Sequence, residues 1–281
     1  MTAERLNRLL RERLPGVHSG LKALVRSWME SEQPLFPMPK RVGGQFVWVH
    51  PRLLGAETAI TQPVVAGWIA RRLEPGSTFF DVGAHYGWMS LQAARRVGRT
   101  GSIVAFEPSP VLAQILRYHQ RVNRMDQMRI VVQAVSDRDC DATPFRLLNN
   151  GLSSQNSLTF GGNLPETTVP STTLDRFCST TGLVPDLVKI DVEGAELMVL
   201  QGASRLLTDA HPDIIVEVHP HLLPPGQTAD QIFDLLRGHG YVLRESDVAH
   251  VSNQLWSVRA APEAGRATPT NPGGPAEGLS M

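Results

Sequence analysis

A chain of 281 residues with 42% hydrophobic side chains can bury one full-size core, a length that suits a single elaborated domain. Lys plus Arg and Asp plus Glu both total 27, so no net field draws the chain to nucleic acid or an anionic membrane, and a small neutral substrate fits that balance. Cys140 and Cys178 show no C-x-x-C spacing and no paired histidines, which argues against a disulfide framework or structural zinc and makes a reducing cytoplasm the default.

The N-terminal run MTAERLNRLLRERLPG interrupts every apolar stretch with charge, so neither an export signal nor membrane insertion is expected. Leu6, Leu9, Leu10 and Leu14 share one helical stripe, and Leu21, Leu24, Val25 and Trp28 share another. Such arms pack on the domain or on a second copy in a homo-oligomer, or serve as a substrate lid or surface anchor. QPLFPMPKRVGG then reads as a linker, QFVWVH as a short strand and residues 61–73 as a helix.

From Ser77 the pattern becomes a regular β/α alternation, which implies a doubly wound α/β fold around a parallel sheet. Strands are expected at 78–82, 102–107, 129–135, 186–192 and 213–219, and helices at about 87–97, 110–123, 195–207 and 228–238. YVLRE and QLWSVRA leave no room for a crossover helix, so they should form an antiparallel C-terminal hairpin. Residues 141–171 interrupt the alternation with polar segments, NNGLSSQNS and FGGN, and read as an insertion over the ligand crevice, with 148–171 a mobile cover. The stretch 262–281 holds four Pro, four Gly and no aromatic residue, the composition of a disordered tail.

The segment TFFDVGAHYGWMSL joins a buried strand to a helix through Asp81, Gly83, Ala84, His85 and Gly87. A dinucleotide fingerprint would need glycine at position 85, and a carboxylate at position 81 would repel pyrophosphate. S-adenosylmethionine carries an ammonium and a sulfonium and no phosphate, so an acid there suits it. The next strand ends in Glu107, 26 residues on, where a carboxylate can accept both ribose hydroxyls, with Pro108 and Ser109 beside it. A third strand end, Val135 and Ser136, would flank the adenine, and Glu57 could reach the cofactor's amino group.

These motifs resemble the FkbM family of methyltransferases: DVGAHYG at 81–87, IVAFEPSP at 103–110, QAVSD at 133–137, TTLD at 172–175, KIDVEGAE at 189–196 and IVEVH at 215–219. Many members have Asn and an aliphatic residue where this chain has His85 and Tyr86. The resemblance implies a class I (Rossmann-like) S-adenosylmethionine-dependent methyltransferase, most commonly acting on a hydroxyl of a sugar or natural product. The motifs span residues 79–219; the chain as a whole is read as an N-terminal helical arm and strand segment at 1–60, a methyltransferase domain at 61–261 and the tail.

Methyl transfer is an in-line displacement, so alignment dominates and a general base assists. Asp191, closing the fourth strand, is the favoured base and a second cofactor contact. Glu193 sits at a helix start, where the dipole weakens a base, and His219 could act as base or orient the acceptor. Lys189 reads equally as a buried ion-pair partner. No metal is assigned, although Asp191, Glu193, Glu217 and His219 could together hold a divalent ion gripping a vicinal diol. The alternatives are N-methylation of a peptide or amine, a nucleotide-dependent oxidoreductase on a related fold, and a non-catalytic scaffold.

Overall fold

The computed structural model describes residues 15–31, 34, 36–42, 45–53, 62–147, 157–158, 166–247 and 252–258. Helix α1 (Pro15–Glu30) precedes a hairpin of β1 (Met38–Val42) and β2 (Gln45–Val49), and α2 (Pro63–Arg72) leads into the main sheet. There follow β3 (Thr78–Val82), α3 (Trp88–Val97), β4 (Ser102–Phe106), α4 (Pro110–Val122), β5 (Met128–Val131), β6 (Ala134–Val135), β7 (Cys140–Arg146), β8 (Glu166–Thr172) and α5 (Leu174–Thr181). The chain continues with β9 (Leu187–Ile190), α6 (Glu196–Gln201), β10 (Asp213–Val218), α7 (Ala229–Gly238), β11 (Tyr241–Asp247) and β12 (Ser252–Val258).

The seven-stranded sheet runs β11-β12-β10-β9-β3-β4-β5. Strands β5, β4, β3, β9 and β10 are parallel, and β12 is antiparallel to both of its neighbours, as the hairpin reading anticipated. Side-chain alternation splits the core into two layers. Phe79, Ile103, Leu187 and Ile215 face the layer of α2, α3 and α4, whereas Phe80, Val104, Val188 and Ile214 face α5, α6 and α7. The order reverses beside β3, between β4 and β9, which is where open α/β sheets form their ligand crevice.

Several expectations are corrected. The Pro-rich segment read as a linker contains β1, because Met38 to Val42 pair register by register with Val49 to Gln45. The strand expected at 129–135 is two strands: β5 stays in the main sheet, and β6 leaves it to pair with β8. The polar interruption is partly a second sheet, ordered β6-β8-β7, and residues 148–156 and 159–165 of the expected cover lie outside the described residues. The helix expected at 195–207 stops at Gln201 and is followed by a π-helical turn, Leu206–Ala210. A Cβ at Gly202 would collide with the Ser136 carbonyl, so that helix end presses directly on the small sheet. The first leucine stripe, Glu57 and the tail fall outside the described residues. Of the second stripe, Leu21, Leu24 and Val25 are exposed among the described residues.

Candidate active site

The turn after β3 is built by close backbone approach. Asp191 N–H donates to the Val82 carbonyl at 3.0 Å, which pulls the ends of β3 and β9 together. Gly83, at φ +80°, sits where any Cβ would strike the Asp191 carbonyl oxygen, so both conformation and space demand glycine. The amides of Gly83 and Ala84 donate to the Phe106 carbonyl at 3.1 and 3.0 Å, curling the turn over the end of β4. There Glu107 accepts the His85 N–H on Oε2 and the Ser109 N–H on Oε1, each at 2.8 Å. Burial pushes its carboxyl up to about 7, against the pull of the two amides.

A cavity of about 330 Å³ opens at this point. Apolar walls come from Ala84, Trp88, Leu112, Val135, Phe145 and Leu158, Glu107 lies among the lining, and the charged end holds Lys189, Asp191, Glu193 and Glu217. His85 and Glu193 flank it with φ of 52° each, a left-handed conformation that non-glycine residues adopt under constraint.

The charged end follows from strand register. Asp81 pairs with Lys189, Lys189 with Ile215, and Glu217 lies two residues further along β10. By alternation these side chains share the face of Phe79, Leu187 and Ile215, forming a polar row at the carboxyl edge of three neighbouring strands. Lys189 Nζ lies 3.1 Å from Asp191 and 3.6 Å from Asp81, whose other oxygen accepts the Ser90 hydroxyl at 2.6 Å. Burial opposes the ammonium, but the carboxylates of Asp191, Asp81 and Glu217 outweigh it and raise its pKa. For Asp191 burial acts upward, and Lys189 with His219 holds the carboxyl below its usual value. Burial lifts Glu193 and Glu217 to about 7 each. His219 Nδ1 bonds the Glu196 carboxylate at 2.8 Å, and that partner with the neighbouring acids overcomes burial to raise the imidazole to about 9.

Of the residues expected around the cofactor, Gly83, Ala84, His85, Glu107, Pro108, Val135 and Asp191 line the cavity. Asp81, Gly87, Ser109 and Ser136 stand outside its lining. Asp81 faces inward to Ser90 and Lys189, so its influence passes through Lys189. Gly87 clears Leu116 at the entry to α3, Ser109 caps α4 and orients Glu107, and Ser136 bonds Asp137 and the Thr172 backbone. Among the expected catalytic groups, Asp191 and Glu193 line the cavity, and His219 stands behind them at 3.9 and 3.6 Å. Sequence reasoning missed Gln62, which donates to Glu217 at 2.5 Å, and Glu196, the partner of His219. It also missed Trp88, whose indole N–H is buried in the cavity wall with no hydrogen-bond partner among the described residues. Glu196 was visible as the last acid of KIDVEGAE, but Gln62 and Trp88 carry no motif signal.

A crevice at the topological switch point, with a buried acid directly after the second strand, is the setting of a class I S-adenosylmethionine-dependent methyltransferase. The family pattern described as the methyltransferase FkbM domain matches residues 81–243, and the chain belongs to that family. Among solved structures it is similar to methyltransferase FkbM from Methylobacillus flagellatus KT, with 12% identity, a TM-score of 0.45 and coverage of 86% of this chain and 60% of that one. It is similar to precorrin-6y C5,15-methyltransferase from Geobacter metallireducens GS-15, with 16% identity, a TM-score of 0.43 and coverage of 73% and 93%. Aeropyrum pernix fibrillarin, crystallised with natively bound S-adenosyl-L-methionine, gives 12% identity, a TM-score of 0.45 and coverage of 69% and 74%. No curated protein sequence matches the chain. No helix among the described residues is long and apolar enough to cross a membrane.

Proposed function

We propose that this cytoplasmic enzyme transfers the methyl group of S-adenosylmethionine to a hydroxyl of a sugar or other natural-product acceptor, with residues 61–261 as the methyltransferase unit and 1–60 as an arm for self-association. The observation that carries the acceptor class is the carboxylate-rich end of the cavity, formed by Asp191, Glu193 and Glu217. Buried carboxylates stabilise an ammonium, which has no lone pair to attack a sulfonium, so this environment favours a hydroxyl over an amine. The apolar end around Val135 and Leu112 suits an adenine, and Glu107 suits the ribose diol.

Chemistry then needs the acceptor oxygen, methyl carbon and sulfur in line at about 3–3.5 Å, and a group to take the hydroxyl proton. Lys189, 3.1 Å from Asp191, stabilises that carboxylate's charge and makes it the poorer base. This reverses the order drawn from sequence: Glu193 takes the proton, and Asp191 orients the acceptor. The test is S-adenosylhomocysteine release across matched panels of sugar, polyketide-type and amine acceptors. Turnover with hydroxyl acceptors is expected, and turnover confined to amines would overturn the reading.

A further inference from the structure

We infer that Asp191, Glu217 and His219 form a binding site for one divalent cation at the acceptor end of the cavity. One donor atom from each lies within 4.8 Å of the others. His219 Nε2 stands 3.9 Å from Asp191 Oδ1 and 3.8 Å from Glu217 Oε1, beyond hydrogen-bond reach. Ligands sharing an ion at about 2.0–2.3 Å stand about 3–4 Å apart, so these gaps fit a common centre better than direct pairing.

The supporting contacts point the same way. Each carboxylate commits its other oxygen: Asp191 Oδ2 to Lys189 at 3.1 Å, and Glu217 Oε2 to Gln62 at 2.5 Å. The imidazole is 5% exposed, and its Nδ1 is taken by Glu196 at 2.8 Å, which turns Nε2 into the gap. An acid behind a histidine in this way is the usual support of a ligating imidazole. Glu193 stands 3.6 Å from the same Nε2, so four carboxylates face one imidazole, and even a protonated ring with Lys189 leaves buried negative charge in excess. Two carboxylates and one imidazole suit a divalent transition metal such as manganese, with positions left for substrate oxygens.

The cation's use rests on the hydroxyl-methylation reading. It would hold two neighbouring acceptor oxygens and ease loss of one proton to Glu193. That oxygen then forms the new C–O bond as the methyl–sulfur bond breaks, giving the methyl ether and S-adenosylhomocysteine. The binding claim is tested without turnover, by titrating chelator-treated full-length protein with Mn²⁺ and following free Mn²⁺ by electron paramagnetic resonance. One ion per chain is expected. Glu217→Gln and His219→Gln should each weaken binding more than about 10-fold, and Glu196→Gln by about 10–100-fold. S-adenosylhomocysteine affinity, measured by calorimetry, should stay within a few-fold in all three and so certify their folding. No Mn²⁺ uptake by wild type at millimolar concentration, or uptake untouched by the variants, would overturn the site. Uptake lost in the variants, in an enzyme that spares hydroxyl acceptors, would support the site and remove only the acceptor class.

Discussion

His119 Nε2 accepts the backbone N–H of His50 at 2.9 Å, a bond that only the neutral imidazole can make. Its Nδ1–H therefore donates to the Tyr86 carbonyl at 2.8 Å, so one buried ring ties the end of the N-terminal hairpin to the cofactor turn. Burial depresses this histidine to about 4, against 6.5 for the free side chain. The unfolded chain then binds the extra proton between those values, so the contribution is present above pH 6.5 and lost as pH falls toward 4. The shift corresponds to on the order of 3 kcal/mol. Denaturant unfolding of wild type and His119→Gln at pH 7 and pH 4.5 should show a stability difference that shrinks at the acid end. A constant difference would remove the proton from the account.

Glu107 gives a second pH dependence, of opposite sense for stability. Its carboxyl is raised to about 7, so its ionisation penalises the empty fold as pH rises from 4.5 toward 7. Ribose hydroxyls need the ionised form, so S-adenosylhomocysteine affinity should weaken as pH drops below 7. Glu107→Gln should flatten that profile, and Glu107→Ala should weaken binding at pH 8 by about 1.5–3 kcal/mol. NAD should give no heat. Calorimetry with equal affinity in wild type and Glu107→Ala would take this carboxylate out of the site.

Turnover separates the two acids at the reacting end. Glu193→Gln should lower kcat by about 10²-fold or more while leaving cofactor affinity within a few-fold, because the amide keeps the shape and cannot accept a proton. Asp191→Asn with the greater loss in kcat, and an unaffected Glu193→Gln, would return the base to Asp191.

Lys189 is buried between Asp81 and Asp191 at 3.6 and 3.1 Å. Replacing it with methionine leaves both acids without their counter-ion, which should destabilise the fold by about 3–5 kcal/mol in urea unfolding. A loss under about 1 kcal/mol would mean that water already reaches these carboxylates.

The exposed stripe of α1, with Leu24 at 69% and Leu21 at 47% exposure, supports self-association through this arm. Leu24→Glu should shift the sedimentation coefficient toward that of a single chain. A wild type that already sediments as one chain would leave the stripe without that role.

How far the sequence could be read follows from the range of the contacts. The alternation of Phe79 and Phe80, and the acids closing β3, β4 and β9, are local patterns, so the main strands and the crevice end of the sheet were legible, whereas strand order is not a local property. A strand-end acid such as Asp81 gives no sign of which neighbours it meets, and its contacts with Ser90 and Lys189 arise only once α3 and β9 are packed. Gln62 meets Glu217 across 155 residues of chain, and Phe145 reaches the cavity from a sheet whose strands lack a helical or parallel signature. The pairing of β6 with β8 was hidden because Ala134-Val135 continues the apolar run of β5.

The contact between Gly83 and the Asp191 carbonyl limits how the enzyme can be re-engineered. A saturation library at position 83 should return glycine alone among active clones, since a side chain there must adopt a left-handed backbone and displace the strand that carries Asp191. Variation tolerated by the scaffold should concentrate instead at Phe145 and Leu158, wall residues supplied by chain outside the main sheet. The cavity wall can then be altered there while the turn after β3 is left untouched, and sequencing the survivors of both libraries would show whether tolerance divides along that line.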